Sequence, residues 1–441
     1  MSSLEHGLTP KMKPVSRKRS AIVCALDIGT SKIACLIARL TPRSPQEVLR
    51  RRSHAVEVLG LGHTQARGMK AGTVVDLVEA EAAVRQAVDA AERAAGVHVE
   101  SVVVAVSAGR IASELYAASI PLRGSTAGEA DIERVLAAGS RHSVRQGRAV
   151  LHSLPIGFSL DDAGSIRDPR GMLGRRLGVD MHVVTVDAAA TRNLMLAVER
   201  CHLAVEAMVA TPYVSAQSVL ADDEADLGTA VVDIGAGTTT TAVFSAGRFV
   251  HADGFALGGN HVTMDLARGL NARIADAERI KTLHGSAIVG RSDDRDMISV
   301  TPVGEHASGE PPQLVPRAAV TRIVAPRVEE ILEMVRDRLA ESPFAADPRG
   351  PVVLAGGSSQ LAGLPEVAAR ILGRQVRIGR PLGIAGLPDI AKGPAFAAAA
   401  GLLVYPQLAY LEHYEPRRTR HLMTGTDGYF ARVGRWLRES F

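Results

Sequence analysis

Apolar and polar positions repeat along this chain in a recognisable pattern. Ile22–Ile37 reads IVCALDIGTSKIACLI: an apolar strand, Asp27, the turn Gly29-Thr30-Ser31-Lys32, and a second apolar strand. Val231–Phe244 reads VVDIGAGTTTTAVF, with buried strands expected at Val231–Ile234 and Ala242–Phe244. Between them lies a turn of Gly235, Ala236 and Gly237, followed by threonines. Periodicity places further elements between these blocks. Ala55–His63 reads as a strand, Arg67–Asp76 as a Gly-punctuated loop, Leu77–Ala95 as an amphipathic helix stopped by Gly96, and Ser101–Ser107 as a strand. From about Gly109 to Arg176 the character changes, with a helix at Glu129–Ala138, a strand at Ala149–Phe158 and a Gly/Asp/Arg-rich loop. A small α+β insertion fits that stretch. Strand Met181–Asp187, helix Ala189–Arg200 and strand Val205–Val209 then restore the alternation of a mixed sheet.

Beyond the second hairpin, Asp276–His284 and Ala318–Leu339 read as helices, with an aperiodic stretch at Arg291–Pro316. Val352–Gly363, VVLAGGSSQLAG, is a buried strand ending in Gly356-Gly357-Ser358, and Pro365 opens a helix soon after. Pro394–Val404 reads as a helix returning to the first lobe. Met1–Ser20 is polar, basic and broken by prolines, and reads as disordered. From Gln407 the chain turns polar and Arg-rich, then closes on YFARVGRWLRESF.

A strand–Asp-x-Gly–strand hairpin suits phosphate. Glycines let backbone N–H groups crowd toward an anion, and Thr30, Ser31 and Thr238 add hydroxyl donors beside Lys32. Asp27 and Asp233, at the ends of their strands, could hold magnesium through its water shell. The plain alternative for one such stretch is an ordinary Gly-rich hairpin. Two copies followed by the Gly356-Gly357-Ser358 turn point instead to two lobes gripping one nucleotide. That is the order of loops in the actin, Hsp70 and sugar-kinase superfamily, which this chain resembles.

Composition narrows the field. The 441 residues are 46% hydrophobic, 22% charged and only 3% aromatic, so the core must be aliphatic. The longest apolar run, around Ala395–Val404, falls short of the roughly 18 residues of a membrane span. No cleavage-site pattern follows the basic N-terminus, which argues against a signal peptide. The three cysteines, Cys24, Cys35 and Cys201, have no metal-binding spacing. The formal charge of +4 comes without a basic stripe interleaved with aromatics, so nucleic acid is not an expected partner.

The stretches ALDIGTSKIACLI, RGMKAGTVVDL, AVERCHLAVE, VVDIGAGT, DAERIKTLHG, AGGSSQLAGL, QVRIGRPLGIAGL and VGRWLRESF resemble the FtsA family of bacterial cell-division proteins, actin homologues, over Ala21 to Phe441. The resemblance implies an actin-like two-lobed α/β fold with an FtsA-type insertion in the first lobe. Its subdivision here would be a disordered 1–20, a first-lobe core at 21–100, 179–208 and 384–405, and the insertion at 101–178. The second-lobe core would take 209–257 and 323–383, its small subdomain 258–322, a tether 406–428, and a membrane helix 429–441. It also implies Mg2+ and ATP between the lobes, head-to-tail filaments, and tethering of FtsZ, through its C-terminal tail, to the inner membrane at the division site. Later division proteins would be recruited there as well. Site residues carried over are Asp27, Gly29, Thr30, Ser31 and Lys32; Asp233, Gly235, Gly237 and Thr238; and Gly356, Gly357 and Ser358. Glu278 and Lys281, one turn apart, resemble the ribose- and base-contacting pair, unless they form a plain surface ion pair. The FtsZ tail is expected near the helix beginning at Ala318, where Arg317 and Arg327 match the family pattern and Arg322 departs from it.

In the terminal helix, Phe430, Val433, Leu437 and Phe441 share one face beside Trp436, with Arg435 and Arg438 largely opposite. An interfacial membrane anchor is the expected role. Two departures bear on catalysis. Where hydrolysing relatives carry a water-orienting carboxylate or glutamine, the aligned residue is Thr211, and Thr240 replaces a second aspartate. No catalytic residue is assigned, and weak or absent ATP hydrolysis is expected. The alternatives are a pilus-assembly ATP-binding protein, which should lack the amphipathic tail, and a sugar or acetate kinase, which needs an acceptor-activating Asp. An Hsp70-like chaperone would need a further substrate domain. The insertion, whose strand edges must be covered, is expected to be an assembly surface.

Overall fold

The apolar runs flanking Asp27 and Asp233 fold into antiparallel meanders, and each meander is the centre of one sheet. In the computed structural model, which describes residues 9–412 apart from 45–48, 109, 142–144, 162, 304–312 and 348, the first meander is β1 (Ala21–Ile28), β2 (Lys32–Pro42) and β3 (His54–Gln65). A short ribbon, β4 (Met69–Lys70) and β5 (Thr73–Val74), leads into α1 (Leu77–Ala95). Asp76 caps α1 by accepting from the N–H groups of Val78 and Glu79, and Gly96 ends it at φ 67°. β6 (Ser101–Val106) runs parallel to β1.

The chain then leaves this sheet. β7 (Ala112–Pro121), α2 (Glu129–Gly139), β8 (Arg148–Leu160), β9 (Ala163–Ile166) and β10 (Arg176–Asp187) build the insertion, a sheet of order β7-β10-β8-β9 with its own apolar core under α2. α3 (Ala188–Glu199) leads back to β11 (Ala204–Ala210), parallel to β6. The first-lobe sheet thus runs β11-β6-β1-β2-β3.

The second lobe repeats the plan. After α4 (Thr211–Val219) and α5 (Asp222–Leu227) come β12 (Thr229–Ile234), β13 (Thr239–Ser245) and β14 (Arg248–Phe255). A subdomain follows: α6 (Gly259–Gly269), α7 (Ile274–His284), the hairpin β15 (Met297–Val300) and β16 (Gln313–Pro316), and α8 (Arg317–Ala340). β17 (Val352–Ala355), α9 (Leu364–Leu372) and β18 (Val376–Ile378) complete the sheet β14-β13-β12-β17-β18. β19 (Ile384–Ala385) then adds to β3, and α10 (Ala397–Val404) is buried throughout. α10 crosses α4 backbone to backbone: a Cβ on Gly401 would lie 1.8 Å from Val214 O. One apolar cluster takes residues from both sheets and from these two helices, so α4 and α10 join the lobes.

Several expectations change. Thr239, Thr240 and Thr241 lie buried within β13 rather than in the turn, as suits β-branched side chains. Ser101–Val106, expected in an insertion over 101–178, pairs with β1 and β11 in the lobe sheet, while β10 carries the insertion's sheet on to Asp187. The aperiodic 291–316 stretch contains β15 and β16, too short to show a period. Pro394–Phe396 is a separate 3-10 turn ahead of α10.

Both expected loose ends are packed where described. In 9–20, Thr9 Oγ1 donates to Val150 O at 2.8 Å, and Val15 N–H to Pro406 O at 3.3 Å. In 406–412, Leu408 is buried and Glu412 pairs with Lys11 at 2.6 Å. Each end reads as polar alone; together they neutralise and cover one another. The rest of the tether and the tail, with Phe430, Val433, Arg435, Trp436, Leu437, Arg438 and Phe441, lie outside the described residues.

Candidate functional site

The two meander turns meet between the lobes. Asp27 pairs with Ala34 and Ile28 with Ile33 in the first; Asp233 pairs with Thr240 and Ile234 with Thr239 in the second. Each aspartate also sits opposite an alanine on the parallel neighbour, Ala105 on β6 and Ala355 on β17. Gly29 N–H donates to Lys32 O, and Gly235 N–H to Thr238 O, both at 2.9 Å. The turns therefore have one geometry in two lobes. Thr30 Oγ1 accepts from Gly72 N–H at 2.9 Å, so the ribbon of β4 and β5 steadies the first turn.

Between the turns opens a cavity of about 590 Å³, inside the roughly 300–1,000 Å³ of small-molecule sites. Asp27, Gly29, Thr30, Ser31 and Lys32 line one side, and Asp233, Gly235 and Thr238 the other. Glu278, Lys281, Gly356, Gly357 and Ser358 are also on its wall. Gly237 is not. It lies where the turns touch, and a Cβ there would fall 2.5 Å from Thr30 Oγ1. Gly356 has φ +82°, and a Cβ would fall 2.5 Å from Asp233 Oδ1, so this glycine allows β17 to end against the carboxylate. Ser358 Oγ donates to Gly235 O at 2.9 Å, tying this loop to the second turn.

Charge in the cleft is balanced differently on its two sides. Burial raises the Asp27 carboxyl above its usual range, opposed by Lys32. Burial pushes Asp233 up to about 6, although Ser215 Oγ donates to its Oδ2 at 2.5 Å; Asp27 adds to the rise and Lys32 opposes it. Burial lowers Lys32 to about 8 against the pull of both aspartates. Its Nζ donates to Ala395 O at 2.7 Å and stands 3.3 Å from the centre of the Phe396 ring. An anion between the turns would favour the charged lysine.

Glu278 and Lys281 form the ion pair that a surface role predicts, at 2.7 Å, but they form it on the cavity wall. Lys281 also reaches Thr263 Oγ1 at 2.9 Å and Gly259 O at 3.2 Å. Thr211 Oγ1 and Thr240 Oγ1 line the cavity, buried and without a hydrogen-bond partner among the described residues. Glycine turns, paired hydroxyls, a lysine and two carboxylates are a donor set that fits a magnesium-bound polyphosphate.

Sequence reasoning missed other wall residues. Asn260 follows a Gly-Gly pair at the start of α6, a turn signal that could have flagged it. Ser107 ends a predicted strand, Gln360 lies inside the Val352–Gly363 stretch, and Arg317 is expected at an FtsZ contact, so none of them signals this wall. Arg317, Arg327 and Arg322, the arginines near the expected FtsZ-tail contact, have different surroundings. Arg327 pairs with Asp265 at 2.7 Å, and Arg317 lines the nucleotide-sized cavity. Of the three arginines, Arg322 alone lines the outer groove of about 470 Å³, with Leu270, Val315, Ala319 and Ile323.

Two like lobes on α4 and α10, with a cleft floored by matching turns, define an actin-like protein. Solved structures share the fold. The PilM–PilN type IV pilus biogenesis complex matches at TM-score 0.59 and 16% identity, covering 87% of this chain and 98% of that one. MreB5 of Spiroplasma citri bound to ADP matches at TM-score 0.53 and 13% identity, covering 88% and 97%. The chain belongs to the FtsA family of cell division proteins. It is 55% identical to the cell division protein FtsA of Agrobacterium fabrum over 437 residues, 99% of this chain and 98% of that protein. It is 32% identical to that of Escherichia coli K12 over 440 residues, 98% and 100%. The family model for cell division protein FtsA matches residues 230–401, and that for the SHS2 domain inserted in FtsA matches 108–185. The type IV pilus assembly protein PilM model matches 172–287. Among the described residues no helix is long and apolar enough to cross a membrane.

Proposed function

We propose that this division protein binds Mg2+ and ATP in the interlobe cleft, assembles head to tail, and holds FtsZ at the inner face of the cytoplasmic membrane. The observation that carries the reading is the pair of matched turns with Asp27 and Asp233 on one cavity. Lys32 and the hydroxyls of Thr30, Ser31 and Thr238 grip the phosphates, Asp27 and Asp233 hold the water shell of the metal, and Glu278 and Lys281 face the ribose. Bound magnesium supplies charge neutralisation on the phosphates. Thr211 and Thr240 can donate hydrogen bonds but cannot take a proton near neutral pH, so the nucleotide acts as a conformational ligand. Turnover is expected far below the roughly 1–100 per second of kinases.

The FtsZ tail docks in the groove beside Arg322, and the C-terminal helix inserts in anionic lipid through Phe430, Val433, Trp436, Leu437 and Phe441, with Arg435 and Arg438 toward headgroups. The insertion serves assembly and recruits later division proteins.

Gly357→Val tests the cleft. A Cβ at Gly357 meets only Ala395 Cβ, at 3.8 Å, so a small branched side chain fits the protein while filling space an adenosine needs. Binding of labelled ATP should be lost with the melting temperature unchanged. Full binding by a folded variant would overturn the assignment. For the tail, Trp436→Glu should release the protein from anionic liposomes without changing ATP binding; wild-type cosedimentation would place the anchor elsewhere.

A further inference from the structure

The cavity has a second end, away from the turns. Two segments line it in step: α7 from Glu278 to the glycine after it, and the loop from Gly356 to Ala362. Near the turns Ser358 ties the loop to Gly235 O, and at the far end Ala287 N–H closes on Ala362 O at 2.8 Å. Against this closed end stands Arg317, the first residue of α8. Its companions Leu283, Leu361 and Ala362 are apolar. Arg317 Nε donates to His284 O at 3.0 Å, which fixes the guanidinium at the end of α7. Asp293, 4% exposed, approaches the same nitrogen only to 3.9 Å. Neither η nitrogen has a partner among the described residues.

A triphosphate held at the turns brings its base to this end. Apolar walls accept any base, whereas a planar guanidinium gains from the larger ring system of a purine, by stacking and by edge hydrogen bonds. We propose that Arg317 reads the base and makes the cleft prefer purine over pyrimidine nucleoside triphosphates. This inference rests on the nucleotide reading of the cleft. The competing role for Arg317 is structural, pinning α7 to α8 through His284 and Asp293.

Calorimetric titration of the full chain with ATP, UTP and inorganic tripolyphosphate separates the two roles. Wild type should bind ATP more tightly than UTP. Arg317→Ala should lower ATP affinity on the order of tenfold, toward the UTP level, and leave UTP and tripolyphosphate unchanged. Arg317→Lys keeps a charge beside Asp293 but lacks the planar face, and should lose the same discrimination; it carries the test if the alanine variant melts early. Equal loss for all three ligands would show a purely structural arginine and overturn the inference. An unchanged ATP-to-UTP ratio in either variant would overturn it too. A wild type that binds ATP and UTP alike sinks the base reading alone, whereas one that binds none of the three sinks the nucleotide reading with it.

Discussion

The two lobes share five strands in one order, and the differences between them lie in what was added. In the first lobe the addition sits between the fourth and fifth strands, β6 and β11, and is the insertion. In the second it sits between the third and fourth, β14 and β17, and is the α6–α8 subdomain. The turns diverge likewise. Lys32 opposes the rise at both aspartates, and Asp233 has the Ser215 hydroxyl besides. Buried threonines continue the second turn where Ile33, Ala34 and Cys35 continue the first. One backbone thus supports two chemistries: a charged phosphate grip on one side and a neutral hydroxyl lining on the other. The described segments nearest the two termini, 9–20 and 405–412, add a third asymmetry, because both fasten to the first lobe.

The largest effect is expected where Lys11 meets Glu412. Glu412 accepts from Lys11 at 2.6 Å, from His152 Nδ1 at 2.8 Å and from Tyr405 OH at 2.9 Å. His152 Nε2 accepts from Ala210 N–H at 2.9 Å, which leaves the proton on Nδ1. Although burial opposes it, Lys11 and His152 hold Glu412 down at about 2, while burial pushes His152 below its ordinary value. Both shifts act in one direction. A depressed carboxyl contributes stability above its unfolded value near 4.5 that is lost as pH falls toward 2. A histidine kept neutral adds a loss that begins below its ordinary 6.5. Glu412→Ala leaves Lys11 unpaired and should cost roughly 3–5 kcal/mol at neutral pH, with a flatter pH profile than wild type below about 4.5, where only the wild type loses the carboxylate's contribution. Urea unfolding from pH 7 to 3 checks this, and parallel profiles for the two proteins would show that the cluster does not titrate as described.

The phosphate grip comes next. Lys32→Ala removes a charged donor and should weaken ATP binding on the order of a hundredfold, against about tenfold for Thr238→Ala. Equal losses in a titration would mean that the turns share the load and that the asymmetry is only chemical.

Local signals made much of this visible in the sequence. Leu77–Ala95 shows a helical period ended by the Gly96 stop, and the Asp-x-Gly turns announce themselves by residue type. What stayed hidden depends on distant partners. Lys11 and Glu412 look like ordinary solvated charges until the ends come together. Ser101–Val106 is a strand in either sheet, and only the partner beside it assigns it to the lobe. Arg317 gives no sign in the sequence of lining the cavity, because that place comes from α8 packing against α7.

The smallest effect concerns the insertion's hold on the second lobe. Its β7 and β10 meet the edge strand β14, where Ser113 Oγ accepts from Ala252 N–H at 2.6 Å. The single hydroxyl proton faces two acceptors, Ala252 O at 2.9 Å and His182 Nε2 at 2.8 Å. His182 is neutral, lowered to about 3 by burial, and donates from Nδ1 to Phe249 O at 2.8 Å. The insertion therefore covers an edge that would otherwise offer open backbone groups. Deleting it would uncover β14 and disturb both lobes at once, whereas Ser113→Ala loosens only the contact. That variant should cost about 1 kcal/mol and speed hydrogen exchange at Ala252, with ATP affinity unchanged. If Ala252 exchanges no faster, the insertion is held by packing alone, and the first lobe carries it without help from the second.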